Sequence, residues 1–213
     1  RDRATALSAF SQTGIFTREI EDGLLRDQFD VAVHSYKDLA TESPDGLIVG
    51  AVLEREDPRD AFVSRRGIAL GDLPAGSVVG TSSMRRRSML ATVRPDLKLV
   101  ELRGNVPTRL RAAGIEIDEG KEAAADLLDG TVLAHAGLKR LGYGQHVTEL
   151  LGLPHFLPAP AQGAVAMQIR CADTRAIELL APLDHAATRT ATRAERRFMQ
   201  VMEGGCQLPL GAL

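Results

Sequence analysis

The stretch Ser77-Val78-Val79-Gly80-Thr81-Ser82-Ser83-Met84-Arg85-Arg86-Arg87, running on to Val93 ahead of Pro95, decides how this chain is read. The turn Pro74-Ala75-Gly76 releases a short apolar run, which predicts a strand over 77–80. Hydroxyl residues follow at once, and then an amphipathic helix to about Val93, stopped by Pro95. The next segment repeats the grammar: a strand over 97–102, the turn Arg103-Gly104-Asn105, and a helix with Pro107 near its first turn. Strands that run directly into helices predict an α/β fold with substantially parallel sheets.

Working outward, Thr17 is expected to cap a helix reaching about Asp27, with Ile20, Leu24 and Leu25 as its apolar stripe. Further strands are expected over 29–35, with Val31 and Val33 on one face, and over 46–53, 61–64, 131–136 and 164–169. Helices are expected over 173–180 and 184–202. The polar run Arg55-Glu56-Asp57-Pro58-Arg59-Asp60 reads as a crossing between two domains, and the proline-rich run 153–160 as the approach to a crossing back near 157–162. No internal repeat or low-complexity tract is visible.

At 213 residues the chain has room for one large or two small domains, and its 44% hydrophobic content supports a sizeable core. No apolar run reaches the ~18 residues that a membrane helix needs, and the start shows no signal-peptide pattern. Two cysteines, Cys171 and Cys206, make no disulfide framework, which points to the cytoplasm. No metal-ligand spacing is present. A net charge of −2 argues against nucleic acid as a partner. The cations are nevertheless lopsided, with 22 Arg to 4 Lys. A GC-rich genome accounts for the total but not for where the arginines sit.

Thr81, Ser82 and Ser83 place hydroxyls and free N–H groups at a helix start, a ready anion site, and Arg85 and Arg86 follow within the first turn. Arg103 and Arg109 bracket the next strand-to-helix turn, and Lys139 and Arg140 form a third basic cluster. Open α/β sheets bind ligands at the carboxyl ends of their strands. Arginine grips carboxylates bidentately and keeps its charge, so a polycarboxylate or polyphosphate is the expected ligand. The run His34-Ser35-Tyr36-Lys37-Asp38 ends another strand with an acid beside a lysine, which reads either as proton chemistry or as a surface ion pair. Cys206, in Glu203-Gly204-Gly205-Cys206-Gln207, reads either as a small buried apolar residue or as a reactive thiol on a loop at a helix end.

Taken together these runs resemble the hydroxymethylbilane synthase family, also called porphobilinogen deaminases. The matching stretches are 34–39, 54–63, 80–86, 102–106 with Thr108 and Arg109, 136–142, Gln162-Gly163-Ala164, and 203–207 with Pro209, in family order over nearly the whole chain. The resemblance implies a transferase that joins four porphobilinogen molecules into hydroxymethylbilane with release of ammonia. It implies a dipyrromethane cofactor attached through Cys206 by a thioether. Asp38 is then the catalytic residue, stabilising positive charge on pyrrole nitrogen. Lys37, Ser35, Thr81, Ser82, Ser83, Arg85, Arg86, Arg103, Arg109, Arg140 and Gln162 are then the residues that hold cofactor and substrate carboxylates.

The implied fold is two α/β domains like those of periplasmic binding proteins, with mixed, mostly parallel sheets, plus the start of a small α+β third domain. The boundaries implied are 1–56 with 161–182, 57–160, and 183–213. A cytoplasmic monomer is expected, with porphobilinogen as substrate and neither nucleic acid nor membrane as partner. The chain departs from the family pattern in places. It looks like a fragment lacking a first strand and most of the third domain. Gln12-Thr13-Gly14 stands where many relatives have a basic loop residue, residues 112–130 look longer than usual, and Cys171 is read as a buried structural thiol. The rival readings are a non-catalytic anion-binding protein of the same architecture and an inactive fragment of the enzyme.

Overall fold

A computed structural model describes residues 12–117, 128–202 and 209–213, with side chains from Thr17 onward. In chain order the elements are α1 (Gln12–Leu25), β1 (Ala32–Ser35), β2 (Leu47–Val52), β3 (Asp60–Ser64), β4 (Val78–Gly80), α2 (Met84–Val93), β5 (Lys98–Val100), α3 (Val106–Ala112), β6 (Gly130–Ala134), α4 (His135–Arg140), β7 (Glu149–Leu151), β8 (Val165–Arg170), α5 (Thr174–Leu180) and α6 (Ala186–Val201). They fall into two compact units. Unit one comprises the described parts of Arg1–Glu56 and Ala164–Cys206, and unit two those of Asp57–Gly163 and Gln207–Leu213.

Unit one is built on a three-stranded sheet in the order β1-β8-β2. Both of its pairings are antiparallel, because the strand that closes the sheet, β8, returns from 165 and runs against β1 and β2. Gly50 is an extra residue in β2, between the pairs Val49↔Gln168 and Ala51↔Met167. A Cβ at Gly50 would lie 2.7 Å from Ile169 Cδ1, so the bulge brings backbone onto a core side chain. Ala51, Ile169, Ala176 and Leu180 form one small core, and Leu24, Ala32 and Leu47 another.

Helix α1 starts at Gln12, so Thr17 is an interior buried residue rather than its cap, and residues 12–14 are helical. The buried face is Thr17, Glu21 and Leu24, spaced four and three apart, while Ile20 and Leu25 of the expected stripe are exposed. The helix ends in a left-handed cap: Asp27 has φ 59°, its N–H donates to Leu24 O, and the Gln28 N–H donates to Gly23 O. In β1 the inward face is Ala32 and His34, and Val33 points out. Cys171, expected to be buried, is exposed, because it follows the last residue of β8.

Unit two carries a five-stranded sheet in the order β5-β4-β6-β3-β7. The trio β5, β4 and β6 is parallel, as the strand–turn–helix pattern predicts, whereas β3 pairs antiparallel with β6 and β7. Among the described residues the sheets are therefore mixed but not mostly parallel, with two parallel pairings against four antiparallel. Strand β8, on which the chain returns to unit one, and β3, on which it enters unit two, each run against both of their neighbours. Every residue of β3 is buried. Its two-residue period sends Phe62 into a cluster with Val79, Leu90 and Val132, and Ala61 and Val63 into a second with Leu110, Leu133 and Leu138. Both faces of this sheet are covered at β3 and β6, which is why those two strands read as continuous apolar runs.

The described part of the segment expected to open a third domain at 183 is divided between the two units. Helix α6 lies within unit one, and residues 209–213 group with unit two, where Ala212 N–H donates to Pro158 O. The buried face of α6 is Thr188, Thr192, Glu195, Arg196 and Met199, a helical stripe in which four of five residues are polar. Each of those four is bonded. Thr188 Oγ1 accepts from Arg55 N–H at 3.0 Å, Thr192 Oγ1 donates to Thr188 O at 2.7 Å, and Glu195 meets the Arg55 guanidinium bidentately at 2.6 and 3.0 Å.

Candidate anion-binding site

The three basic turns singled out in the sequence follow β4, β5 and β6. Because these strands are parallel neighbours, their carboxyl ends share one edge of the unit-two sheet. Asp60 shares that edge too: it begins β3 opposite Ala134, the last residue of β6.

The first turn is shaped by its hydroxyls. Thr81 is fully buried and its Oγ1 accepts from Ser83 N–H at 3.2 Å. Ser83 is the N-cap of α2, its side chain accepting from Arg86 N–H. This puts Arg85 and Arg86 on the inner side of the helix start, and both are buried. Their guanidiniums converge on one carboxylate. Arg86 Nη2 and Nε lie 2.8 and 3.1 Å from Asp60 Oδ1, and Arg85 Nη2 lies 2.8 Å from Asp60 Oδ2. Gln162 completes the cluster, donating to Asp60 Oδ1 at 2.9 Å and to Pro58 O at 2.7 Å. The expected free cations of this turn thus have an internal partner.

Burial alone would raise the Asp60 carboxyl, but the Arg86 and Arg85 charges, with hydrogen bonds from Arg86 and Gln162, hold it well below the usual carboxylate range. Burial pushes the Arg85 guanidinium down, against the pull of Asp60, yet an arginine keeps its proton.

The other basic residues are more open. Arg103 is exposed and pairs with Glu101 at 2.7 Å. Arg109 Nε donates to Gly104 O at 2.8 Å, folding back over its own turn, where Asn105 caps α3 by accepting from Thr108 N–H. The third cluster sits one short helix beyond its strand: β6 stops at Ala134, and Lys139 and Arg140 occupy the last turn of α4, an element absent from the sequence reading. Arg140 Nη2 donates to Gly163 O at 2.7 Å. Thr81, Ser82, Met84, Arg87, Leu99 and Glu101 line an open depression beside the first turn.

Asp38 belongs to unit one. Ser35 ends β1, and a 3-10 turn, Tyr36–Asp38, follows with Asp38 exposed, Lys37 half-buried and Tyr36 buried beneath them. Arg196 of α6 holds that turn from below. Its guanidinium donates to Tyr36 O at 3.1 Å, Leu39 O at 2.9 Å and Ala40 O, and lies 4.3 Å from the Tyr36 ring centroid. Cys206 lies outside the described residues.

Asp60 and Arg196 were not assigned roles from sequence. The signal for Asp60 was a lone charge heading the apolar strand 60–63, and for Arg196 a position on the helical stripe of Thr188, Thr192 and Met199. Near Asp60, Asp57 binds the Arg59 guanidinium at 2.6 Å and lies 3.4 Å from His135 Nδ1. The Arg59 side-chain hydrogen bond outweighs burial and lowers the Asp57 carboxyl to about 2. Among the described residues no group of His, Cys, Asp and Glu is placed to hold a metal, and no helix is long and apolar enough to cross a membrane.

Residues 1–178 match the family model for the porphobilinogen deaminase, dipyromethane cofactor binding domain. The chain belongs to the porphobilinogen deaminase family. Curated deaminases agree: that of Carboxydothermus hydrogenoformans is 49% identical over 97% of this chain and 63% of its own length, and that of Desulforudis audaxviator 48% over 98% and 64%. The chain thus spans a little under two thirds of these deaminases. Solved structures with a distant likeness include the methionine-binding protein MetQ (14% identity, TM-score 0.45, 86% of this chain and 78% of that one) and protein PG110 from Staphylococcus aureus (11%, 0.48, 83% and 76%). Neither adds to the family assignment.

Proposed function

We propose that this chain is the greater part of a transferase that joins four porphobilinogen molecules into hydroxymethylbilane and releases ammonia, primed by dipyrromethane on Cys206. The observation that carries the reading is the match to deaminases along 97% of the chain. The residues of unit two fit a ligand rich in carboxylates. The buried cluster holds two guanidiniums to one carboxylate, and Arg103, Arg109 and Arg140 add donor-only side chains at the same sheet edge.

In this proposal Arg85, Arg86, Arg103, Arg109 and Arg140, with Lys37, hold acetate and propionate groups. The hydroxyls of Ser35, Thr81, Ser82 and Ser83, and the Gln162 amide, set their orientation. When bound, dipyrromethane supplies the pyrrole carbon to which the first substrate is joined. Asp38 presents an anion where positive charge develops on a pyrrole nitrogen, an effect worth several kcal/mol once bound ligand excludes water from it. The same reading places the protein in the cytoplasm as a monomer, with no nucleic-acid or membrane partner, and treats residues 183–213 as leading into a third domain.

The test is intact mass. The chain, and the same chain completed with the flanking segments of the Carboxydothermus relative, are produced in cells that make porphobilinogen. A mass increase of two linked pyrroles is expected on Cys206, retained in dithiothreitol because a thioether is not a disulfide, and lost in Cys206→Ala. A folded, completed protein with unmodified Cys206 would favour a non-catalytic anion-binding protein instead.

A further inference from the structure

Charge around Asp60 is uneven. Two guanidiniums with side chains 5% and 6% exposed share one carboxylate that is 1% exposed. Among the described residues their other contacts are neutral: Arg85 Nη1 reaches Leu157 O and Met89 Sδ, and Arg86 Nη1 donates to Val132 O at 3.0 Å. A buried cation without a counter-charge is costly, so the cluster carries one net positive charge that a further anion would offset. Asp60 Oδ2 also lacks an aligned hydrogen bond, although Oδ1 has three.

We propose that Asp60 is the resident counter-ion of the Arg85–Arg86 pair: it orients both guanidiniums and cancels one of their charges, leaving one positive charge for a single ligand carboxylate. This rests on the reading of the two arginines as carboxylate holders. Asp60 is a positioning residue, acting through the arginines. Without its charge the pair carries two uncompensated cations, which must recruit small anions from solution to stay buried.

The experiment compares thermal unfolding of the chain as wild type, Asp60→Asn, Asp60→Glu and the double variant Asp60→Asn with Arg86→Gln, in chloride and in rising sulfate at fixed ionic strength. Asp60→Asn is expected to unfold about 10 °C below wild type in chloride. Sulfate stabilises proteins generally, so the readout is the gap to wild type. That gap is expected to close by about half, and saturably, as a bound ion requires. Asp60→Glu should keep the wild-type response, and the double variant should show no extra sulfate effect. An equal gap in every salt would make Asp60 a structural ion pair and overturn the proposal.

If Asp60→Asn does not fold, wild type alone decides. Sulfate should shift the Arg85 and Arg86 Nε–H resonances together, and unmoved resonances overturn the proposal. Failure here with the Cys206 adduct present removes only the counter-ion role. An absent adduct with the sulfate response intact removes only the deaminase reading.

Discussion

Arg196 donates to three carbonyls of one turn, Tyr36, Leu39 and Ala40, and stacks on Tyr36 while doing so. A lysine keeps the charge but loses the planar fork, so Arg196→Lys is expected to cost about 2 kcal/mol. A lower urea midpoint at unchanged slope would check this. Asp38 rides on that turn, exposed and free of the burial that marks Asp60. In the completed enzyme Asp38→Asn is expected to keep the pyrrole adduct but lose ~10²-fold or more in turnover, because charge is removed and volume is not. Single-turnover rates on adduct-bearing protein test it, and near-normal rates would refute the role given to Asp38.

Strands β3 and β6 form the centre of unit two, and their contact is close at one point. Gly130 opposes Ser64, and a Cβ there would lie 2.4 Å from Phe62 Cζ and 2.9 Å from Val63 O. The ring can shift but the backbone oxygen cannot, so Gly130→Ala is expected to destabilise by about 1–3 kcal/mol through overpacking. Phe62→Ala should cost about 3–5 kcal/mol by opening a cavity between Val79, Leu90 and Val132. Denaturant unfolding measures both, and a neutral Gly130→Ala would mean that the two strands part more easily than this packing implies. The helix starts follow simpler rules: Ser83, Asn105 and Asp173 each accept from the N–H three residues on.

At the scale of the molecule, depressed carboxylates set the acid limit. Asp57 titrates at about 2 in the folded chain, Asp60 lies well below the usual range, and an unfolded aspartate titrates at about 3.9. A lowered folded pKa gives stability that is complete above the unfolded value and is lost as pH falls through the folded one. The contribution of Asp57 should therefore be constant from pH 8 to about 5 and fade between about 4 and 2. Urea midpoints of wild type and Asp57→Asn should differ by a fixed amount at neutral pH and converge near pH 2. A gap that closes above pH 5 would show that the carboxylate is not held down by Arg59.

Local chemistry was enough to determine much of this protein. The capped helices after β4 and β5, the second with a proline in its first turn, are encoded within a dozen residues each, so their turns and parallel strands were legible. The family was legible from motifs in order, and so were the basic turns at one sheet edge. What only the tertiary structure decided depends on residues far apart in sequence. Strands β8 and β3 run antiparallel to their neighbours because of where the chain enters each sheet, which no local period reports. Helix α6 packs in unit one through Glu195 and Arg196, whose partners lie some 140 and 160 residues away. The fate of Arg85 and Arg86 was hidden for the same reason: their charge reads as free in sequence, and only folding brings Asp60, 26 residues from Arg86, against it.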